Sequence, residues 1–188
     1  MDGQRRHFFA STALHEGERQ GRTRAWAEHT AWGAVAILSS RDADWLGTTQ
    51  ASRLRSALRE IDDVDDLLTR MRDRAQVHTF EAHRAALPRL RELITSTNLR
   101  LLGITDAVDD SVDGYLAEAD LDGVVRTLGL RTATDGTAVL RTTGFEIDTV
   151  RDLVATSTVA ALEAATSTDP RLRGAGRRTL GELLEAYR

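Results

Sequence analysis

At Gln76 the spacing of apolar residues changes, and that change constrains the fold more than any other feature of the chain. Just before it the sequence runs in helical steps. In TTQASRLRSALREI, Ala51, Leu54, Leu58 and Ile61 recur three or four residues apart behind a threonine cap, which leaves Arg53, Arg55 and Arg59 outside. QVHTFEAH instead alternates Val77, Thr79 and Glu81 with Gln76, His78 and Phe80, the two-residue period of a strand. A chain that carries both periods has to pack helices on a sheet, so an α+β fold is expected.

Helical patterns outnumber strand patterns. RAWAEHTAWGAVAIL predicts a helix with Trp26, Ala27, Ala31, Ala34, Val35 and Leu38 inward. DDVDDLLTRMRDRA opens with acids and closes with arginines, as a helix dipole favours at each end. Pro88 fits the first turn of a further helix. Residues 105–114, TDAVDDSVDG, are polar and turn-forming. They divide the chain into a helical, winged-helix-like module over 1–104 and an α+β module over 105–188. In the second, Leu121, Val124, Val125 and Leu128 mark a helix closed by Gly129, and LRTATDGTAVLRTT reads as two strands turning at Asp135-Gly136. Two helices end the chain, roughly 149–166 and 170–187, the second opened by Pro170. The expected fold is mostly helical, with a short strand or wing near 76–83 and a small hairpin near 130–143.

Composition excludes several chemistries. All 25 basic residues are arginine and there is no cysteine. A G-x-x-x-x-G-K phosphate loop, a Schiff-base lysine, a thiolate nucleophile, a disulfide and a cysteine-based zinc site are therefore impossible. No apolar run reaches the roughly 18 residues that span a bilayer, and the charged MDGQRRHFFASTALHEGERQ does not read as a signal peptide. A cytoplasmic address without a membrane partner is expected. The sequence has no G-x-S-x-G elbow, HEGER is not a zinc helix, and HTFEAH sets His78 and His83 on opposite sides of a strand. A non-catalytic role without a cofactor is the resulting expectation.

Helix, helix and strand across residues 48–84 follow the order of a winged helix, in which the second helix lies in the major groove and a wing grips the backbone. Arg53, Arg55, Arg59, Arg70, Arg72, Arg74 and Arg84 are the candidate phosphate contacts, because a guanidinium forks onto phosphate oxygens. The net charge of −4 opposes long-range attraction to nucleic acid, although residues 1–60, with 9 arginines against 7 acids, are net positive. IDDVDD also opposes it, since four carboxylates stand where the second helix would read bases. The competing reading of this segment is a solvated charged surface or a protein-binding face.

DDSVDGYLAEAD offers a different ligand. Its acids, serine and Gly114 fall at the offsets of a calcium loop, with Asp109, Ser111, Asp113, Tyr115 and Asp120 as the candidate ligands of a divergent EF-hand. Asp120 is shorter than the usual glutamate, and the best partner loop, DADWLGTTQASR, has Arg53 where a closing carboxylate belongs. The simpler alternative makes Ala117 to Asp120 the first turn of a helix, preceded by a turn at Gly114. The stripes Val159, Leu162 and Leu172, Leu180, Leu183, Leu184 form core by default; the alternative is a face for a partner subunit, which would make the protein a homo-oligomer.

DDLLTRMRDRAQVHTFEAHRAALPRLREL, VDGYLAEADLDGVVRTLGLRTATDGTAVLRTT and the closing STVAALEAATSTDPRLRGAGRRTLGELLEAYR resemble actinobacterial winged-helix regulators of the antitoxin kind, encoded beside nucleotidyltransferase-type toxins. The resemblance covers residues 64–188. It implies an amino-terminal winged helix that binds an operator and a carboxy-terminal domain that handles the toxin. The expected function is thus a regulator or antitoxin-like protein that binds DNA through the arginines of 48–84 and a protein partner through 111–188. The alternatives are a calcium-binding protein and an interaction scaffold.

Overall fold

The computed structural model describes residues 24–104 and 110–188. Its helices are α1 (Glu28–Leu38), α2 (Gly47–Arg59), α3 (Val64–Met71), α4 (Leu87–Leu93), α5 (Leu121–Leu128), α6 (Ile147–Val154), α7 (Ser157–Ala165) and α8 (Pro170–Tyr187). The strands are β1 (Gln76–Glu81), β2 (Val112–Ala117), β3 (Arg131–Thr132) and β4 (Ala138–Thr143). The fold is α+β and mostly helical, as the two periods require.

Two helices are apolar on every side, and such helices must be enclosed. In α1 every residue from Ala31 to Leu38 is buried, and in α7 every residue from Thr158 to Ala165 is. Around them pack the apolar stripes of α2, α6 and α8, with Leu54, Leu58, Val150, Leu153, Leu180 and Leu184 all buried in one core. Val159, Leu162, Leu180 and Leu184 of the carboxy-terminal stripes are therefore core, whereas Leu183 is only partly covered and Leu172 is half-buried outside that cluster. Asp63 and Asp169 cap α3 and α8 by accepting from the backbone N–H of Asp65 and Arg171, and Gly129 closes α5 at a φ of 63°. The threonine cap expected on α2 is not used; that helix starts at Gly47 without a side-chain cap.

The four strands form one mixed sheet in the order β2-β4-β1-β3. Strand β4 runs parallel to β2 and antiparallel to β1. One sheet face carries Val112, Leu116, Ala138, Leu140 and Phe80 into a second core with Leu87, Leu90 and Val124 from α4 and α5. The opposite face sends Tyr115 into the helical core. Because Tyr115 pairs with Arg141 in the register of β2 and β4, that face also sets a guanidinium beside the core.

Four sequence expectations need correction. The strands flanking Asp135-Gly136 exist but do not form a hairpin: β1 lies between them and pairs with both. Gly136 serves a close approach, since a Cβ there would stand 2.1 Å from the Phe80 carbonyl oxygen. The strand at 76–83 is not a free wing, because β1 is an interior strand with distant neighbours on both sides. Residues 112–117 are not a turn leading into a helix but strand β2; a 3-10 turn at Glu118–Asp120 then leads into α5. The single helix expected over 149–166 is two, α6 and α7, separated at Ala155 and Thr156. The sheet is also assembled from both sides of the 104/105 division, with β1 enclosed by β4 and β3.

Candidate functional site

The seven arginines expected to meet phosphate do not share one surface. Arg74 is buried, 7% exposed, with its Nη1 donating to the Met71 carbonyl and its Nη2 2.5 Å from Glu163 Oε1. Arg70 pairs with Asp66 at 3.0 Å and covers the Trp26 ring at 5.6 Å. Arg72 stands 3.6 Å from Asp73, and Arg84 stands 3.8 Å from Asp110. Arg59 lies over the Tyr187 ring at 5.8 Å. Among the described residues, Arg53 and Arg55 on α2 have no ion-pair or hydrogen-bond partner; Arg53 is exposed and Arg55 half-buried.

The acids of IDDVDD have structural uses that the sequence did not reveal. Asp62 pairs with Arg188 at 3.2 Å, Asp63 caps α3, and Asp66 holds Arg70. Asp65 receives both terminal nitrogens of Arg177, at 2.6 and 2.7 Å, and that hydrogen bonding holds its carboxyl below the usual carboxylate range. The opening turn of α3 is thus tied to α8. A recognition helix needs that turn free to reach base edges, so α3 is not placed as one.

The same folding event builds a charged cluster that sequence reasoning missed. Glu163, 8% exposed, accepts from Arg74 and, through a very short bond, from the Tyr115 hydroxyl, both on Oε1. Arg141 Nη2 lies 2.6 Å from Oε2 without hydrogen-bond geometry, and Arg141 also forks onto Asp113 at 3.0 and 2.9 Å. Charges therefore alternate from Asp113 through Arg141 and Glu163 to Arg74. Burial pushes the Glu163 carboxyl up, but the Arg74 and Arg141 charges outweigh it and hold the group below its ordinary value. Burial also raises the Tyr115 hydroxyl, which the neighbouring Arg74 charge only partly opposes. A carboxylate clamped between two guanidiniums is a poor base, so this set is suited to joining β2, β4 and α7 more than to moving a proton. Its one sequence signal is that Glu163 is the only charged residue in α7.

The calcium reading meets the same residues. Asp113 and Tyr115 lie in extended β2, with the Asp113 carboxylate on Arg141 and the Tyr115 hydroxyl on Glu163. Ser111 and Asp120 are exposed, and Asp109 lies outside the described residues. Asp113 and Tyr115 share one face of the strand but are engaged by Arg141 and Glu163, and an extended backbone does not wrap its side chains around an ion as a calcium loop does, so the four described candidates are not gathered as ligands. Among the described residues, no group of three or more His, Asp and Glu side chains is placed to hold a metal ion. No helix of the described residues is long and apolar enough to cross a membrane.

No family model matches the chain, and neither a curated protein nor a solved structure does.

Proposed function

We propose that the protein is a non-catalytic regulator of the antitoxin kind, contacting a nucleic-acid backbone through α2 and a protein partner through 111–188. The observation that supports the DNA half is the state of α2: among the described residues Arg53 and Arg55 meet no carboxylate, and Arg59 is held only over an aromatic ring. An unpaired guanidinium is free to displace counterions from phosphate. The winged-helix mode is not part of this proposal, because α3 is engaged with α8; contact is through α2 alone and reads charge more than sequence.

The test is a fluorescence-anisotropy titration of duplex DNA over a range of salt. Wild type is expected to bind weakly, with affinity falling as salt rises. Arg53→Ala, Arg55→Ala and Arg59→Ala together should lower the log–log salt slope by roughly 0.9 for each phosphate that is no longer neutralised. No binding, or an unchanged slope in the triple variant, leaves the protein as an interaction scaffold and overturns the DNA half.

A further inference from the structure

We propose that a cavity beside Glu163 binds a small aliphatic α-amino acid as its zwitterion. The inference goes beyond the reading above and draws on neither its DNA half nor its partner half. The cavity, about 170 Å³, lies where residues 97–99, the strands β2 and β4, the end of α7 and the start of α8 meet. Its wall includes Thr97, Leu99, Asp113, Arg141, Glu163 and Leu172.

Glu163 is the side chain that points to a ligand. The residue is 8% exposed, and its Oε1 takes both the Arg74 guanidinium and the Tyr115 hydroxyl, while Oε2 accepts no hydrogen bond from any described residue. Arg141 Nη2 stands 2.6 Å from Oε2 but outside hydrogen-bond geometry, its guanidinium being turned to fork onto Asp113 through Nε and Nη2. A buried carboxylate oxygen without a donor costs free energy that a ligand's N–H recovers. Arg141 is left in the matching state. Among the described residues its Nη1 meets no acceptor, and the Thr97 hydroxyl has no partner either. The unspent groups along this wall are therefore an acceptor on Glu163 and donors on Arg141 and Thr97.

Charge selects the occupant. Asp113 and Glu163 stand with Arg141 and Arg74, two carboxylates against two guanidiniums, so the cluster is neutral as a whole. A plain anion is repelled by the first pair and a plain cation by the second. Among the described residues, no group of three or more His, Asp and Glu side chains is placed to hold a metal ion. A zwitterion matches both signs. Its ammonium donates to Glu163 Oε2 and to Asp113, whose carboxylate is 48% exposed and marks the cavity's mouth; its carboxylate accepts from Arg141 Nη1 and the Thr97 hydroxyl. Arg74 and Arg141 keep the Glu163 carboxyl ionised, as an ammonium partner requires. Leu99 and Leu172 leave an apolar end for an aliphatic side chain, and the volume limits that side chain to a small one.

The test is isothermal titration calorimetry of the full chain with L-valine, glycine, N-acetyl-valine, which lacks the ammonium, and valinamide, which lacks the carboxylate. Valine should bind saturably. Each of the other three should bind roughly tenfold or more weakly, the loss expected when a hydrogen bond to a charged group or an apolar contact goes unmade. Nitrogen-15 NMR should place the valine-induced shifts at the amides of Thr97, Asp113, Arg141 and Glu163. Leu172→Trp, at a half-buried position of α8, fills the apolar end and should abolish binding at an unchanged melting temperature. Thr97→Ala removes one donor and should weaken valine by roughly tenfold. No saturable heat at millimolar valine, equal binding of N-acetyl-valine or valinamide, unchanged affinity in both variants, or shifts confined to other surfaces would overturn the proposal. The DNA titration varies only α2, so the two readings fail separately.

Discussion

Glu163 carries two guanidiniums and a phenol on one carboxylate, and this makes it the residue whose removal should cost most. Glu163→Gln keeps the shape but leaves Arg74 and Arg141 without their shared counter-charge, and breaking a buried ion pair from one side costs about 3–5 kcal/mol. Urea denaturation should report a loss of that size. The acid limb gives a second readout. The unfolded carboxyl titrates near its ordinary value of 4.5, whereas the folded one holds its charge to lower pH. The unfolded state therefore takes up a proton first, and the stability that Glu163 contributes above pH 4.5 fades as pH falls towards the folded value. The variant should lose stability more gently than wild type below pH 4.5; an equally steep limb would remove Glu163 from this role. The sequence advertised Glu163 as the lone charge of an apolar helix, but not its partners. Arg74 looked like one of a row of surface arginines, and nothing local distinguishes it from Arg72, two residues earlier and exposed.

Helices α7 and α8 approach each other closely, and glycine explains it. A Cβ at Gly176 would stand 2.4 Å from the Ala165 nitrogen and 2.6 Å from the Ala161 carbonyl oxygen, both backbone atoms that cannot swing aside. At Gly181, in the same helix, nothing lies within 4 Å. Helix propensity alone favours alanine by about 1 kcal/mol at both sites. Gly181→Ala should therefore stabilise by up to that amount. Gly176→Ala should destabilise by about 1–3 kcal/mol, the range of overpacked cores. Thermal melts of the two variants moving in the same direction would contradict this packing. Elements of this kind were legible where the period was clean: α2, α3, α5 and α8 follow their apolar spacing, and β1 follows its alternation. The failures have one cause. Asp135-Gly136 is a turn signal, yet whether the flanking strands pair with each other or around a third strand depends on residues more than fifty positions away. In β2, the acids and Gly114 mimic a turn, while the strand is specified by its register with β4 and by Thr95, which bridges to Tyr115.

The sheet decides whether the molecule can be divided. Its two interior strands are β4 and β1, and β1 comes from the amino-terminal half while its neighbours β4 and β3 come from the other. The charged cluster crosses the same line, with Arg74 on one side and Tyr115, Arg141 and Glu163 on the other. The cores do so too, since α1, α2 and α3 share theirs with α6, α7 and α8. A fragment of residues 105–188 would leave one edge of β4 unpaired, give β3 no partner, and keep Arg141 as the single guanidinium on Glu163. Unpaired strand edges and exposed apolar faces favour aggregation over folding. Expressed alone, the fragment should show no cooperative thermal transition by circular dichroism and poor dispersion of its amide NMR signals. Adding residues 24–104 as a separate chain should restore both, because the missing strand and the Arg74 counter-charge return together. A fragment that melts cooperatively without its other half would show that the polar segment at 105–114 separates two independent folding units, and residues 105–188 could then be studied free of the α2 arginines.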